Sequence, residues 1–122
     1  MEEQNYKKRL LEINNEKDEI SHKIKSVNKD REELLDFYEA QRNFFRGLET
    51  LSNDSSFKNR IYQLEDEIIS SQKQSLYKVD EYEEELHLLQ KELYKKEDEV
   101  EEEYHAVKRL KEIEEEVHEY GN

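Results

Sequence analysis

The stretch RNFFRGLETLSNDSSFK, residues 42–58, decides how this chain folds. It contains three of the four phenylalanines, one of the two glycines (Gly47) and the run Ser52-Asn53-Asp54-Ser55-Ser56. No proline occurs anywhere in the 122 residues, so these are the residues best suited to interrupt a helix. Gly47 can take the left-handed conformation that closes many helices. A helix arriving from the N-terminal side ends at Arg46, or runs on to about Leu51 because Leu48 keeps its apolar pattern. The small polar run offers side-chain oxygens to the free N–H groups of a following helix, with Asp54 or Ser55 the expected N-cap. One glycine costs a helix only about 1 kcal/mol, so the break rests on Gly47 and the five polar residues together. A short connection of this kind makes two helices antiparallel neighbours.

Reading toward the N-terminus, apolar residues recur at alternating steps of four and three: Tyr6, Leu10, Ile13, Lys17, Ile20, Ile24, Val27, Arg31, Leu34, Tyr38, Gln41, Phe45, Leu48. A heptad seam this long marks a helix built to pack against another helix. Lys17, Arg31 and Gln41 interrupt it. Long cations at such sites lay their stems along the core and reach water with the head. Toward the C-terminus the pattern runs Phe57, Ile61, Leu64, Ile68. It resumes as Val79, Leu86, Leu93, Val100, Val107 at sevenfold spacing, with Glu83, Gln90 and Glu97 between. The eleven residues from Ile68 to Val79 form a stutter, a heptad plus four, which locally relaxes a left-handed supercoil. The expected fold is therefore all-α: helix one over about 3–49, a hinge over about 50–55 and helix two over about 56–118. These would form a single coiled-coil-like hairpin, completed to a bundle by a partner or a second copy.

Composition narrows the function. Charged residues make up 43% of the chain and the net charge is −13. The charge is uneven: residues 1–50 carry 10 Lys/Arg against 12 Asp/Glu, and residues 51–122 carry 10 against 21. Such a chain repels nucleic acid and anionic membrane surfaces, so neither is expected as a partner. Cysteine is absent, which removes disulfides and thiolate metal sites. The acidic opening Met1-Glu2-Glu3, with no apolar stretch after it, is unlike a signal peptide. No apolar run is long enough to span a bilayer. A cytoplasmic location is expected, with co-export alongside a client left open.

Near the hinge the apolar residues outgrow a two-helix seam. Leu34, Leu35, Phe37, Tyr38, Phe44, Phe45, Leu48 and Leu51 precede it, and Phe57, Ile61, Leu64, Ile68 and Ile69 follow. Each large side chain left in water forgoes about 1.5–3 kcal/mol of burial. Leu34, Phe37, Tyr38, Phe44, Phe45, Leu48, Phe57, Ile61 and Leu64 are accordingly the expected partner-binding residues.

Catalytic chemistry finds little support. Each of the four histidines follows acidic residues at i−3 and i−4. Glu-x-x-His builds di-iron sites when it recurs on facing helices, but in so acidic a chain the spacing is expected from surface pairing alone. The triplets Glu83–Glu85, Glu101–Glu103 and Glu114–Glu116 fit a solvated face. No phosphate-binding loop or zinc-hydrolase helix occurs, and two long helices offer no pocket to align Ser, His and Asp. No enzyme, metal or cofactor is expected.

In this plan of two long antiparallel helices with an aromatic-x-Gly at the turn, Phe45-Arg46-Gly47, the chain resembles the WXG-type small helical proteins of bacterial type VII secretion. It is most similar to the small α-helical partners of LXG toxins, over roughly residues 5–110. The resemblance implies binding to the helical N-terminal domain of a larger secreted toxin, as chaperone or targeting factor, alone or with a second small helical protein. Phe45 stands where that family has Trp. The family's export motif, aromatic-x-x-x-Asp, matches Tyr94 and Asp98, and equally Tyr62 and Asp66. No Phe-x-x-x-Asp occurs, so the resemblance is to the chaperone-like accessory partner. The alternative from another class is a self-associating coiled-coil scaffold or spacer with no client, a homodimer being its simplest form.

Overall fold

The computed structural model describes residues 2–120 and consists of two helices, α1 (Glu2–Glu49) and α2 (Ser55–Tyr120). They are 48 and 66 residues long, several times the usual three turns. The described chain contains no strand, and the two helices pack against each other as an antiparallel hairpin.

The hinge is built from the local bonds of residues 47–58. At the end of α1, Thr50 N and Leu51 N donate to Gly47 O and Leu48 O at 3.3 and 3.1 Å. The Thr50 hydroxyl also donates to Gly47 O, at 2.8 Å. These i→i−3 bonds tighten the last turn and satisfy carbonyls that a helix end would leave free. The expectation for Gly47 is corrected here. Gly47 lies inside α1, and no described residue has a positive φ. The helix therefore closes through Thr50 rather than through a left-handed glycine. On the far side, Ser56 N donates to Asp54 Oδ1 at 3.0 Å and Lys58 N to Asp54 O at 3.0 Å. Asp54 is thus the N-cap of α2, and Ser52 Oγ accepts from Asp54 N at 3.1 Å.

The chain divides into two compact units, each containing a stretch of both helices. The hinge unit, Lys23–Leu86, has Val27, Tyr38, Phe45, Ile61 and Leu86 as its buried core. Its seam is also crossed by polar pairs. Arg31 donates to Glu83 and, at 3.0 Å, to Asp80. Gln72 Nε2 donates to Gln41 Oε1 at 2.8 Å. The terminal unit combines the residues up to His22 with those from His87 onward, and buries Ile13, Ile20, Leu93 and Val100. Lys17 Nζ lies 2.8 Å from Glu97 Oε2 and 4.3 Å from the centre of the Tyr94 ring. The cations that interrupt the α1 seam thus meet the glutamates that interrupt the α2 seam, on the same chain. Glu97 holds the Lys17 ammonium above its ordinary pKa, mainly by hydrogen bonding, and Glu83 does the same for the Arg31 guanidinium. Tyr6 and Tyr104 meet edge to face at 5.8 Å, and the Tyr104 hydroxyl donates to Glu3 Oε1 at 2.7 Å.

The α1 seam residues from Tyr6 to Leu48 are all buried or half-buried. On α2 the seam passes through Glu65 rather than Leu64: Glu65 is half-buried and Leu64 exposed. From Lys108 to His118 every residue is exposed.

Candidate interaction surface

A helix must cover its apolar stripe with another element, and two helices cover each other along one line only. In the hinge unit this sorts the expected partner-binding residues into three groups. Tyr38, Phe45 and Ile61, each 7% exposed, belong to the hairpin's own core. Leu34, Leu48 and Phe57 are half-buried at its edges. Phe37, Phe44 and Leu64 point into solvent. Truncating Phe45 would therefore disturb the hairpin itself, and the surface open to another molecule starts from Phe37 and Phe44.

That surface is wider than the exposed residues of the expected set. Phe37 and Phe44 are 57 and 63% exposed and lie seven residues apart on α1, and Leu51, 72% exposed, follows in the connection beyond Glu49. Leu35 is exposed as well, as are Tyr62 and Tyr77 on α2. Phe44 packs edge to face on Phe45 with ring centroids 5.9 Å apart, and Phe37 lies 6.2 Å from Tyr38. Each exposed ring is thus braced by a buried one, which limits the rotamer freedom lost if the exposed ring is later covered. The sevenfold recurrence of Phe37, Phe44 and Leu51 was the signal available in the sequence. Tyr62 and Tyr77 carry no such signal: they stand fifteen residues apart, with the stutter between Ile68 and Val79 shifting the phase at Tyr77.

One charged feature borders this surface. The Glu65 carboxyl is pushed above its ordinary pKa, first by desolvation, then by its hydrogen bond with Glu49, the Glu49 charge and Asp66, while Arg46 opposes the shift. Burial and the neighbouring Glu49 charge near the end of α1 thus favour the protonated form of Glu65.

Tyr94 and Asp98, the possible export motif, lie on exposed positions of α2 in the terminal unit. They are far from the helix's end at Tyr120, and Tyr94 carries the Lys17 contact described above. In the same unit, Glu3, Tyr6, Tyr104, Val107, Lys108 and Lys111 line a shallow cleft. The Tyr104 hydrogen bond holds Glu3 below the usual carboxylate range and pushes Tyr104 up. This cleft explains a local packing contact and presents no catalytic pairing. His22, His87, His105 and His118 are exposed. Among the described residues no group of three or more His, Cys, Asp or Glu is placed to hold a metal. Among them, too, no helix is long and apolar enough to cross a membrane.

No protein-family model matches the chain, and neither a curated protein nor a solved structure matches it. The geometry defines a class: an all-α helical hairpin whose hinge unit presents uncovered aromatic and aliphatic side chains.

Proposed function

We propose that the chain is a non-enzymatic helical adaptor of the chaperone type, which lays its hinge-unit apolar surface along the helices of a larger protein and keeps that protein soluble. The resemblance of the hinge motif Phe45-Arg46-Gly47 suggests the client: the helical N-terminal domain of an LXG-type toxin, held for type VII export. The observation that carries the reading is the exposure of Phe37 and Phe44 on one face of α1, with Leu51 exposed just beyond its end. Side chains of this size are common hot-spot anchors when a helix-lined surface is covered. The net charge of −13 keeps such a surface from nonspecific association and favours a client with basic patches.

The test is co-expression with the products of neighbouring genes that carry helical N-terminal domains, followed by pull-down. Phe37→Ser with Phe44→Ser should abolish co-purification and leave the circular dichroism spectrum of the free chain unchanged. Co-purification that survives the double substitution removes this surface from the interface.

A further inference from the structure

Two antiparallel helices leave a groove along each side of their seam, and in the terminal unit the two sides differ. Successive helical residues lie about 100° apart around the axis, so Glu16 and Lys17 of α1 fall on opposite sides, as do Lys96 and Glu97 of α2. On one side Lys17 meets Glu97 at 2.8 Å and lies over the Tyr94 ring. Cation and carboxylate are matched there within the chain. The other side is a groove of about 310 Å³ open to solvent. Its floor is the core pair Ile20 and Leu93, and Leu89, 46% exposed, forms an apolar wall. Glu16 and Glu19 border it from α1 and Glu92 from α2, all three exposed. Lys96 is the one cation among its described lining residues.

The hairpin gains nothing from this arrangement. Glu16 and Glu19 stand three residues apart on one helix, a spacing at which like charges are mildly destabilising. Their charges and that of Glu92 outnumber the single ammonium of Lys96, and all of them border apolar surface that the chain leaves open. A groove with an apolar floor and unbalanced carboxylates on both rims is complementary to a side chain with an aliphatic stem and a cationic head.

We propose that this groove is a docking site for two turns of a basic amphipathic helix of another protein, which sets an aliphatic side chain against Leu89 and an arginine or lysine between Glu16, Glu19 and Glu92. The seven residues from Leu89 to Lys96 give about 10 Å of groove, which is the length of two helical turns. An amphipathic helix lying in an apolar groove is a recurring mode of recognition. Arginine suits the rim best, because its stem packs on apolar surface while its planar fork takes carboxylates in pairs. A second copy of this chain presenting the same groove would set carboxylates against carboxylates, so the occupant is a different protein. The contact is smaller than the roughly 800 Å² per partner of a standard interface. It therefore acts as a weak, salt-sensitive contact that steers and orients the partner. It uses neither Phe37 nor Phe44 and stands whether or not the chain is an adaptor.

Fluorescence anisotropy of labelled peptides with the full chain tests the site. The probe is a peptide of roughly 15 residues, near the length at which helices become marginally stable, with a leucine stripe flanked by arginines. One control peptide has glutamates in place of the arginines, and another has serines in place of the leucines. The probe should bind, and both controls should bind more weakly by about tenfold or more. Glu16→Gln with Glu92→Gln, and separately Leu89→Ser, should each weaken the probe by a similar factor with the circular dichroism spectrum unchanged. Glu114→Gln with Glu115→Gln removes the same charge elsewhere on α2 and should leave binding as it was. A probe that does not bind, a serine control that binds as tightly, or an equal loss from the Glu114 and Glu115 substitutions would overturn the proposal, the last by showing general attraction to an acidic chain. Phe37→Ser with Phe44→Ser should leave probe binding intact even where client capture is lost. Probe binding lost with those two residues would place the peptide on the hinge unit and overturn this site, leaving the adaptor reading standing.

Discussion

Phe44 and Phe45 are chain neighbours with the same side chain, yet truncating them should have very different costs. Phe45 is 7% exposed and Phe44 is 63% exposed. Phe45→Ala removes a buried ring and leaves a cavity, which costs about 3–5 kcal/mol in protein cores. A seam between two helices is open along both edges and can partly collapse, so about 3 kcal/mol is the better expectation. Full burial of a Phe stabilises by about 1.5–3 kcal/mol. Phe44 has only about a third of its surface covered, so Phe44→Ala should cost about 0.5–1 kcal/mol. Urea unfolding followed by far-ultraviolet circular dichroism, at a concentration low enough to keep the chain monomeric, measures both. With a slope of about 1–3 kcal/mol per molar urea, the Phe45 variant should shift the midpoint by roughly 1 M or more. The Phe44 variant should shift it by a few tenths. Equal shifts, or a larger one for Phe44, would refute the assignment of Phe45 to the core and Phe44 to the open face.

Acidity should act on the two units with opposite sign. Glu65 has its carboxyl pushed up, so its stabilising contribution is fully present below the unfolded value and lost as pH rises through the folded value. Hydrogen exchange in the hinge unit should slow as pH falls from neutral toward the ordinary glutamate range, after correction for intrinsic exchange, and Glu65→Gln should remove that trend. Glu3 is held low, first by the Tyr104 hydrogen bond and then by Lys7, so its contribution to the terminal unit is present above the unfolded value and lost as pH falls through the folded one; Tyr104→Phe should reduce that loss. At the seam, Lys17→Met alone leaves Glu97 facing apolar surface and should lower the melting temperature. Lys17→Met with Glu97→Leu should recover it, since a part-buried ion pair exchanges for apolar packing at little net cost. A double-mutant cycle with no coupling would contradict the contact. Residues beyond Lys111 are exposed wherever the side chain is described, so ending the chain there should change unfolding free energy by less than about 0.5 kcal/mol.

The fold was legible because two independent signals agreed. The α1 seam keeps a four-three rhythm from Tyr6 to Leu48, and the polar run at 52–56 interrupts it where a turn is needed. What stayed hidden depends on relations between the helices. Lys17 and Arg31 could be recognised as seam interruptions, but their pairing with Glu97 and Glu83 follows from the register of the hairpin, which no local pattern states. The choice of Glu65 over Leu64 was hidden for a related reason. Hydrophobicity favours Leu64, and only the phase of the helix after the hinge turns it outward. Gly47 was misread because its backbone angles are set by how Thr50 closes the helix. The candidate surface was half legible: the excess of apolar residues was visible, but the division between those the hairpin keeps and those it leaves free was not.

The crossing pairs Arg31–Glu83 and Gln41–Gln72 set which residues face each other, yet they do not say whether both belong to one polypeptide. If residues 50–54 were too short to reverse direction, α1 of one molecule could meet α2 of another and recover every one of these pairings. Removing three loop residues should therefore convert the protein into an intertwined, domain-swapped form with nearly the same helix content. The loop, more than the seam, keeps each molecule folded on itself.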